Sequence, residues 1–531
     1  MPKHSLPYSE TGYFSNLICD YLDENETLKN FYHRFPKLEN FKAQMEEKQR
    51  AFSDEKRHLL AERILFQYGD NSISQHTLSN IDLLRESNTF TITTGHQLNL
   101  FTGPLYFLYK IFSVINLCEQ LHEAYPKNHF VPIYWMATED HDFDEINYFN
   151  LFGKKISWNR NASGAVGELS TEGLKELKNL LKKEFGESEN AKKLIDCFRD
   201  AYLKHNNLAD ATRFLANTLF YHHGLVIVDG NDKRLKEVFI PYVEKEITEN
   251  LSYKKVTETT EKLMDLGYAE QVHPREINLF YLKENLRERI IEKEGRFYVN
   301  ETEISFSKEE ILKELNENPQ RFSPNALLRP LYQELILPNL CYIGGGGELA
   351  YWFQLKDYFK TVDVPFPILL LRNSVLLVPG TLSEKLKRLN IPLKDLFLPK
   401  HELMTKHTKE ISKIEIDFSQ QKKFLRQQFS DLYEVAKQTD ASFLGAVGAQ
   451  ERKQIKGLEN LEKRLLKAQK RNLADELKRL QNIQDQLFPK QSLQERQLNF
   501  SEFYLEYGED LLDSLKENLD PLDATFTVLE L

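Results

Sequence analysis

The sequence predicts an α/β protein with a parallel sheet, followed by an α-helical coiled-coil domain. Short apolar runs alternate with helical periodicity over about residues 90–380, as in parallel sheets with crossover helices. Two of these runs end in polar clusters, and ligands of open parallel sheets bind at that carboxyl edge. From about Gly380 onward, long charged helical segments dominate and leucines recur every seven residues.

Length and composition restrict the class of protein. A chain of 531 residues is too long to fold around a single hydrophobic core, so two or three domains are expected. The net charge of −10 argues against a general nucleic-acid binder. Four scattered cysteines with no C-x-x-C pair signal neither a disulfide scaffold nor a thiolate zinc site. No apolar signal region and no run of about 18 apolar residues occur, so we expect a soluble, cytoplasmic protein without a membrane segment.

The order of patterns along the chain predicts the domains. We expect a core over residues 1–380, with an N-terminal helical layer to about residue 88 and insertions at about 155–222 and 270–320. A helical coiled-coil domain follows over 381–498, and the aromatic-rich segment 499–531 is expected to pack back on the core. Strands are predicted at the start of 91–106 and of 130–147, and in four later segments. These segments are 150–158, 224–230, 339–343 and 366–372.

The first polar cluster follows the first predicted core strand, in GHQLNLFTGPLY at residues 95–106. Gly95 and Gly103 can let the backbone approach a ligand closely. A helix that begins behind Thr102 and Gly103 would attract an anion such as phosphate. His96 could donate to a phosphoryl oxygen, although a polar core or turn histidine is the alternative interpretation.

The second polar cluster, EDHDFDEIN at residues 139–147, ends the next predicted strand. If this end is extended, Glu139 and His141 face opposite Asp140 and Asp142. Such a set could hold magnesium, orient an ammonium group, or act as acid or base. The alternative is a solvated acidic loop that caps the next helix.

A four-glycine run at residues 344–347 precedes Glu348 and the next predicted helix. Its amides could approach a ligand at a second helix N-terminus. Arg329 and Arg372 are candidate anion clamps, and a structural ion pair is the alternative for Arg372. Lys110, in the helix behind the first cluster, could reach a phosphate, but we expect it on the helix surface.

Leucines at positions 466, 473, 480 and 487 predict a coiled coil. The simplest interpretation is an intramolecular hairpin or a dimer seam. Pro489 should end the helix.

Four segments together resemble the bacillithiol-synthesis cysteine ligase family, BshC. They are GHQLNLFTGPLY at 95–106, EDHDFDEIN at 139–147, FSPNALLRPLYQ at 322–333 and GGGGELAYWFQL at 344–355. The resemblance implies a Rossmann-like core with connecting-peptide insertions, related in shape to class I aminoacyl-tRNA synthetases, and a coiled-coil domain used for dimerisation. It also implies the last step of bacillithiol synthesis, which adds cysteine to the amine of glucosaminyl-malate.

The hypothesis is therefore a ligase that joins the cysteine carboxylate to that amine. A carboxylate is a poor acyl donor, so ATP is the suspected cofactor, with magnesium possible beside it; no residue is assigned as a metal ligand. Small-molecule substrates and a homodimer are the expected partners. The catalytic candidates are Glu139, Asp140, His141, Asp142 and His96. The substrate-binding candidates are Gly95, Gln97, Thr102, Gly103, Tyr106, Asp144, Asn147, Asn325, Arg329, Gly344, Gly347, Glu348 and Arg372.

Two rival functions use the same features. One is a nucleotidylyl transferase that acts on another small acid or sugar phosphate at the same sheet edge. The other is a nonenzymatic coiled-coil assembly factor whose core only senses a ligand.

Overall fold

A computed structural model describes residues 2–69 and 73–531. The chain divides into two compact units. The core unit comprises Met1–Ser9, Tyr13–Leu376 and Leu493–Leu529. The helical unit comprises Glu10–Gly12, Leu377–Ser492 and Glu530–Leu531.

The strands are numbered in chain order. They are β1 Lys3–Pro7, β2 Thr89–His96, β3 His129–Met136, β4 Tyr148–Leu151, β5 Lys154–Ser157, β6 Val226–Asp229, β7 Leu279–Lys283, β8 Leu286–Lys293, β9 Arg296–Val299, β10 Ser305–Phe306, β11 Phe322–Pro324, β12 Asn339–Gly344, β13 Ile368–Leu371, β14 Val375–Val378 and β15 Thr525–Glu530.

The helices are also numbered in chain order. They are α1 Tyr8–Thr11, α2 Asn16–Leu22, α3 Asn40–Ala51, α4 Asp54–Tyr68, α5 Gln75–Leu83, α6 Tyr106–Ala124, α7 Phe143–Ile146, α8 Leu174–Phe185, α9 Glu189–Leu203, α10 Leu208–Leu219, α11 Lys233–Glu237, α12 Ile240–Glu249, α13 Leu251–Asp265, α14 Lys308–Glu317, α15 Arg329–Ile336, α16 Gly346–Phe353, α17 Lys356–Thr361, α18 Gly380–Arg388, α19 Lys400–Ile411, α20 Ser419–Ala436, α21 Ala441–Asn472, α22 Ala474–Leu487, α23 Gln494–Gln497, α24 Ser501–Tyr507 and α25 Glu509–Asn518.

A five-stranded parallel sheet forms the centre of the core unit, in the order β13-β12-β2-β3-β6. From β2 the chain moves through β3 to β6 on one side, and β12 and β13 return to the other side of β2. The strand order therefore reverses between β2 and β12, and such a switch point opens a crevice outside the carboxyl ends of the strands. The predicted α/β class with a parallel sheet is confirmed.

One apolar cluster joins the sheet to its helices. Both faces of β2 are buried along its whole length, as expected of a central parallel strand. Helix α6 is buried from Phe107 to Cys118, and it packs on β2 and β3. Residues of β2, β12 and β13 join Phe41 and Met45 of α3 in the same cluster. This packing fixes the ends of β2 and β3 relative to α6.

A second, antiparallel sheet, in the order β10-β9-β8-β7-β11, belongs to the same unit. The alternation of apolar and polar residues over 277–306 predicts this excursion. The turn between β8 and β9 uses left-handed backbone at Glu294 (φ 51°) and Gly295 (φ 77°), which suits a two-residue hairpin turn. The excursion supplies Phe280 from β7 and Arg287 from β8 to the cavity described below.

The segment that follows the helical unit belongs to the core unit. Strand β15 pairs antiparallel with β1, with Lys3 opposite Leu529. Nδ2 of Asn499 donates to the carbonyl oxygens of Phe101 and Gly103, at 2.8 and 2.6 Å. These contacts tie residues 499–529 to the first polar loop.

The helical unit contains a hairpin of α20 and α21. Phe429, Ala436 and Val447 form its small apolar cluster. The heptad leucines do not lie on one continuous helix, because the helix is interrupted at Leu473, between α21 and α22. Leu480 and Leu487 are buried, while Leu466 and Leu473 are half-buried. The four leucines are therefore divided between α21, the interruption at Leu473 and α22. In the described part of the chain, no helix combines the length and apolarity that a bilayer span requires.

A buried ion pair joins α3 to α15 in the core unit. Nζ of Lys48 lies 3.0 Å from Oε2 of Glu334, and their side chains are 1% and 0% exposed. Nδ2 of Asn339 also donates to Glu334, at 2.6 Å. Removal of one partner leaves a buried charge without compensation.

We predict that Glu334→Ala destabilises the core unit by roughly 3–5 kcal/mol. Urea unfolding followed by tryptophan fluorescence measures this change, because Trp135, Trp158 and Trp352 all lie in the core unit. The control Glu317→Ala, whose exposed pair with Lys313 spans 3.8 Å, should change the free energy of unfolding by less than about 1 kcal/mol. Equal effects of the two variants would contradict the role of the buried pair.

Candidate active site

A cavity of about 530 Å³ lies at the carboxyl edge of the parallel sheet, at the switch point between β2 and β12. Strands β2, β3 and β12, helices α6, α15 and α16, and the second sheet all contribute to its wall. The lining residues are Gly95, His96, Gln97, Tyr106, Lys110, Trp135, Met136, Ala137, Thr138, Glu139, Asp140, His141, Phe280, Arg287, Pro324, Asn325, Ala326, Arg329, Tyr342, Glu348 and Tyr351. Acidic, basic and aromatic side chains thus converge on one cavity.

Lys110 is the buried cation of this cavity. It projects from α6 and is only 4% exposed. Its Nζ donates to the carbonyl oxygen of Gly95 at 2.7 Å and lies 2.6 Å from Oε1 of Glu348. Burial lowers the pKa of Lys110, and the charge of Glu348 opposes that shift. The expected surface position of Lys110 is wrong, because α6 buries this face against the end of β2.

Glu348 links α16 to the same cluster. Its carboxylate accepts from the Tyr342 hydroxyl at 2.6 Å and from the Gly345 backbone N–H at 3.1 Å. Desolvation would raise the pKa of Glu348, but the charge of Lys110 and these hydrogen bonds hold it below its ordinary value. Glu348 is therefore an ionised carboxylate at neutral pH.

Arg329 adds a second positive charge at this end of the cavity. Its Nη1 donates to Oε1 of Gln333 at 2.9 Å, and Nη2 lies 3.4 Å from the Tyr351 hydroxyl. The absence of a side chain at Gly95 makes room for the Tyr342 hydroxyl, since a Cβ there would lie 3.1 Å from that oxygen, whereas its distance of 3.9 Å from Arg329 would be an ordinary contact. Lys110 and Arg329 together outweigh Glu348, so this end favours an anionic group.

The acidic cluster is a turn and not an extended strand end. Strand β3 ends at Met136, and α7 begins at Phe143. Because the chain turns between them, Glu139, Asp140 and His141 all line the cavity. The expected alternation of these side chains between two faces is wrong, since it requires extended backbone.

Asp140 is held as a carboxylate. Its Oδ2 accepts from Nε2 of Gln97 at 3.0 Å, and its Oδ1 accepts from the backbone N–H of His141 at 2.8 Å. Burial alone would raise the pKa of Asp140, but the neighbouring His141 ring, the hydrogen bonds from Gln97 and the His141 backbone, and the charge of Arg287 hold it far below its ordinary value. Such an acid is a weak base, and it suits an ammonium group better than proton transfer. Neighbouring Glu139 forms an ion pair with Lys236 of α11.

His96 is a buried residue of the cavity wall, with its ring against Tyr106 and Phe107. Burial and then the charge of Lys110 lower the pKa of His96 to about 3. Its Nε2 lies 3.3 Å from the carbonyl oxygen of Thr102. His96 is therefore neutral at pH 7, and one ring nitrogen is already bound by the protein.

The structure brings together ten of the predicted site residues in this cavity. They are Gly95, His96, Gln97, Tyr106, Glu139, Asp140, His141, Asn325, Arg329 and Glu348. The other eight, Thr102, Gly103, Asp142, Asp144, Asn147, Gly344, Gly347 and Arg372, do not line it.

The turn at Thr102 and Gly103 is a structural corner and not an anion site. Helix α6 begins later, at Tyr106, and the carbonyl oxygen of Gly103 accepts from Asn499. The backbone N–H of Leu105 donates to the carbonyl oxygen of Leu498 at 2.8 Å. Protein groups thus occupy the position proposed for phosphate. Gly103 is required there for another reason, since a Cβ would lie 2.5 Å from Cβ of Asn99.

The glycine run joins β12 to α16. Gly344 ends β12, and Gly347 lies in the first turn of α16. The carboxylate of Glu348 itself accepts from Gly345 N–H at the start of that helix. A negative side chain thus satisfies one backbone N–H of this N-terminus, and substrate binding by Gly344 and Gly347 stays a prediction.

Arg372 forms a structural ion pair. Its Nη2 lies 2.7 Å from Oε1 of Glu495, and the two side chains are 4% and 0% exposed. Its Nη1 donates to the carbonyl oxygen of Asn373 and to Oγ of Ser374. These partners match the alternative of a structural ion pair, while Nε of Arg372 has no hydrogen-bond partner among the described residues. The role of Arg372 as an anion clamp stays a prediction.

The remaining members of the acidic cluster serve the local fold. Oδ1 of Asp142 accepts from the backbone N–H of Glu145 at the start of α7. Asp144 is exposed, and its Oδ1 lies 3.5 Å from Nδ2 of Asn147. This part of the cluster matches the alternative of an acidic loop that caps a helix. Among the residues that the structure describes, no group of three or more His, Cys, Asp or Glu is arranged to hold a metal ion.

Two charged cavity residues escaped the sequence prediction of the site, Lys110 and Arg287. Nη1 of Arg287 lies 2.6 Å from Nδ1 of His141, and its guanidinium carbon lies 3.9 Å from the centre of the Phe280 ring. Arg287 is one of several arginines and lysines in an alternating strand pattern. No local signal in the sequence distinguishes it from its neighbours.

The parallel sheet, the charged cavity at its switch point and the separate helical unit define a Rossmann-like enzyme with an appended coiled-coil domain. A family model described as "Bacillithiol biosynthesis BshC, N-terminal Rossmann-like domain" matches residues 1–373. A second, described as "Bacillithiol biosynthesis BshC, C-terminal coiled-coil domain", matches residues 375–531. The chain belongs to the BshC family.

Relatives match along the full chain. Proteins named "Putative cysteine ligase BshC" from Christiangramia forsetii and Flavobacterium johnsoniae are each 57% identical to this chain. The matches cover 100% of this chain, and 99% and 100% of those proteins. A protein of the same name from Bacillus cereus (strain G9842) is 29% identical, over 97% of this chain and 98% of its own. The names of these relatives confirm the predicted enzyme class, a ligase.

One solved structure also matches over much of its length. It is titled as that of a putative arginyl t-RNA synthetase from Campylobacter jejuni, with 11% identity, a TM-score of 0.20, and coverage of 87% of this chain and 94% of that chain. A likeness at this level carries no argument about fold or function.

We predict that His96 makes the core unit sensitive to acid. A depressed pKa means that the unfolded chain takes up a proton near pH 6.5 and the folded protein only near pH 3. The stability linked to His96 is therefore complete above about pH 6.5 and is lost as the pH falls toward 3. Urea unfolding between pH 7 and pH 4 should show a smaller loss of stability in His96→Gln than in the wild type. An identical loss would contradict a buried neutral His96. The control is His58→Gln, at an exposed residue of α4.

Proposed function

We propose that the chain is the cysteine ligase of bacillithiol biosynthesis, joining the carboxylate of cysteine to the amine of glucosaminyl-malate. The observation that carries the proposal is the one cavity with separate anion-binding and cation-binding groups at the sheet switch point. An amino acid and a malate-bearing amine together offer positive groups and several carboxylates. The proposed substrates therefore complement the charges of this cavity.

The positions of the charges support an arrangement of the substrates. Asp140, ionised and held by Gln97, would bind the cysteine ammonium. Lys110 and Arg329, at the positively charged end of the cavity, would bind carboxylate or phosphate oxygens. The aromatic walls of Tyr106, Trp135 and Tyr342 would exclude water from the acyl group.

Amide formation from a free carboxylate requires activation, and we propose ATP as the source. Attack of the cysteine carboxylate on the α-phosphorus of ATP would form an acyl-adenylate and release pyrophosphate, whereas attack on the γ-phosphorus would form an acyl-phosphate and release ADP. The amine would then displace AMP or phosphate from the acyl carbon, and its proton would pass to that leaving group or to water. Magnesium would bind together with ATP, because Mg²⁺ is commonly held by substrate phosphates. The supply of ATP and cysteine makes the cytoplasm the proposed location.

The test is an assay of the purified protein with cysteine, glucosaminyl-malate and ATP, in which bacillithiol and the nucleotide product are both measured. AMP indicates an adenylate, and ADP an acyl-phosphate. If ATP is consumed at the same rate with and without cysteine, a nucleotidylyl transferase would be favoured instead.

We predict that Asp140→Asn lowers kcat/KM for cysteine about ten- to a hundredfold, because a hydrogen bond to a charged group contributes roughly 1.5–3 kcal/mol. The matched control is Asp144→Asn, from the same acidic segment but exposed and away from the cavity. The control should retain wild-type kinetics. An equal loss in both variants, or in neither, would remove Asp140 from the proposed binding site.

We further propose that the α20–α21 hairpin forms a homodimer contact. Large apolar side chains on this hairpin are exposed, including Phe424 (62%), Val435 (56%) and Phe443 (48%). Exposed apolar groups grouped on one element are typical of protein interfaces. A second copy of the hairpin would cover them.

We predict that the double variant Phe424→Glu with Phe443→Glu shifts the protein from dimer to monomer, since charges do not pack in an apolar interface. Sedimentation velocity measures the mass in solution. The control Met264→Glu changes an equally exposed residue of the core unit (53%) and should leave the dimer intact. A wild-type monomer, or a dimer that survives the double change, would contradict this contact.

A further inference from the structure

Arg287 and His141 meet across the mouth of the cavity. The two come from elements 146 positions apart in the chain, and Nη1 of Arg287 lies 2.6 Å from Nδ1 of His141. Arg287 is 8% exposed and stacks on Phe280 at 3.9 Å. Its guanidinium is therefore fixed from a second side, and the short contact is held in place.

The chemistry of a guanidinium decides which atom carries the proton. It has five N–H donors and no acceptor, and it stays protonated in proteins. Nδ1 of His141 must therefore accept the hydrogen bond. A neutral imidazole with an accepting Nδ1 carries its proton on Nε2.

The other charged neighbour of the ring does not change this assignment. Oδ1 of Asp140 lies 3.6 Å from Nδ1 and accepts instead from the backbone N–H of His141 at 2.8 Å. In a doubly protonated ring, the Nδ1–H would face a guanidinium N–H across 2.6 Å. Two donors repel each other at that distance, so this geometry excludes the doubly protonated ring. The groups that face the ring are Asp140 from its own turn, Arg287 from β8 and Phe280 from β7.

Nε2 is the free side of the ring. The His141 side chain is 48% exposed and lines the cavity. In residues 2–69 and 73–531, Nε2 has no hydrogen-bond partner, whereas Nδ1 has one. The Nε2–H donor is available to a molecule in the cavity.

We propose that Arg287 is a positioning residue that holds His141 as the neutral Nε2–H tautomer, so that His141 donates a hydrogen bond to a substrate oxygen and does not accept the proton of the amine. The identity of that oxygen, the carbonyl oxygen of the activated cysteine carboxyl group, rests on the proposed function. That oxygen becomes negative as the amine attacks, and a fixed donor then stabilises the transition state.

The direct test reads the tautomer without any reaction. The full-length protein, labelled with ¹⁵N in the histidine rings, is studied by two-bond ¹H–¹⁵N correlation at pH 7 without substrates. Loss of one set of signals in His141→Gln assigns His141. We expect an unprotonated Nδ1 and a protonated Nε2. A protonated Nδ1, alone or together with Nε2, would overturn the proposal.

The role of Arg287 is tested by comparing the His141 ring signals in two arginine variants. In Arg287→Met, Nδ1 loses its donor, and the His141 signals should shift toward a mixture of tautomers. Arg289→Met makes the same change on the same strand, at a residue that lines a different cavity, and should leave the His141 signals unchanged. Unchanged signals in Arg287→Met would mean that Arg287 does not position the ring.

Measurements of kcat in two variants distinguish a hydrogen-bond donor from a general base at position 141. Glutamine at position 141 can place an N–H near the position of Nε2, whereas asparagine places it near Nδ1. We expect His141→Gln to remain within about tenfold of wild-type kcat and His141→Asn to lose about 10²- to 10³-fold. Equal, complete loss in both variants would contradict the donor role. A wild-type protein that makes no bacillithiol would refute the proposed function while leaving the tautomer result intact.

Discussion

The buried ammonium of Lys110 is the interaction on which the cavity depends. A charge in this position is costly unless it is paired and hydrogen-bonded. Glu348 supplies the pairing and Gly95 supplies a carbonyl oxygen. Because these three residues belong to α6, α16 and the end of β2, one charge fixes three elements around the switch point.

The same pairing places a carboxylate at the start of α16, behind the second glycine-containing segment. Glu348 is drawn inward by Lys110 and Tyr342, and it then satisfies the Gly345 N–H at the start of α16. The helix start is thereby neutralised from within the protein. Positive charge for a ligand comes instead from the side chains of Lys110 and Arg329.

Local patterns in the sequence predict much of this structure. Buried strands followed by polar residues locate β2, β3 and β12, and parallel pairing then brings their ends together. This is why His96, Asp140 and Glu348 could be assigned to one sheet edge before their contacts were known. The antiparallel excursion and the change to long helices after residue 380 were also visible in the periodicity.

The partners of individual charges could not be predicted, because they depend on contacts distant in the chain. Arg372 has the same local features as a ligand-binding arginine at a strand end, yet Glu495, 123 positions later, pairs with it. Lys110 has the sequence position of a surface lysine, but the face of α6 that carries it is turned toward the sheet. Asp142 and Asp140 differ by two positions, and only the turn after β3 decides which one reaches the cavity.

The proposed ligase binds both substrates at the switch point between β2 and β12. A crystal structure of the protein with cysteine and glucosaminyl-malate tests this binding mode. We expect density in the cavity, with the cysteine ammonium at Asp140 and carboxylate oxygens at Lys110 or Arg329. Substrate bound elsewhere, with this cavity filled only by solvent, would contradict it.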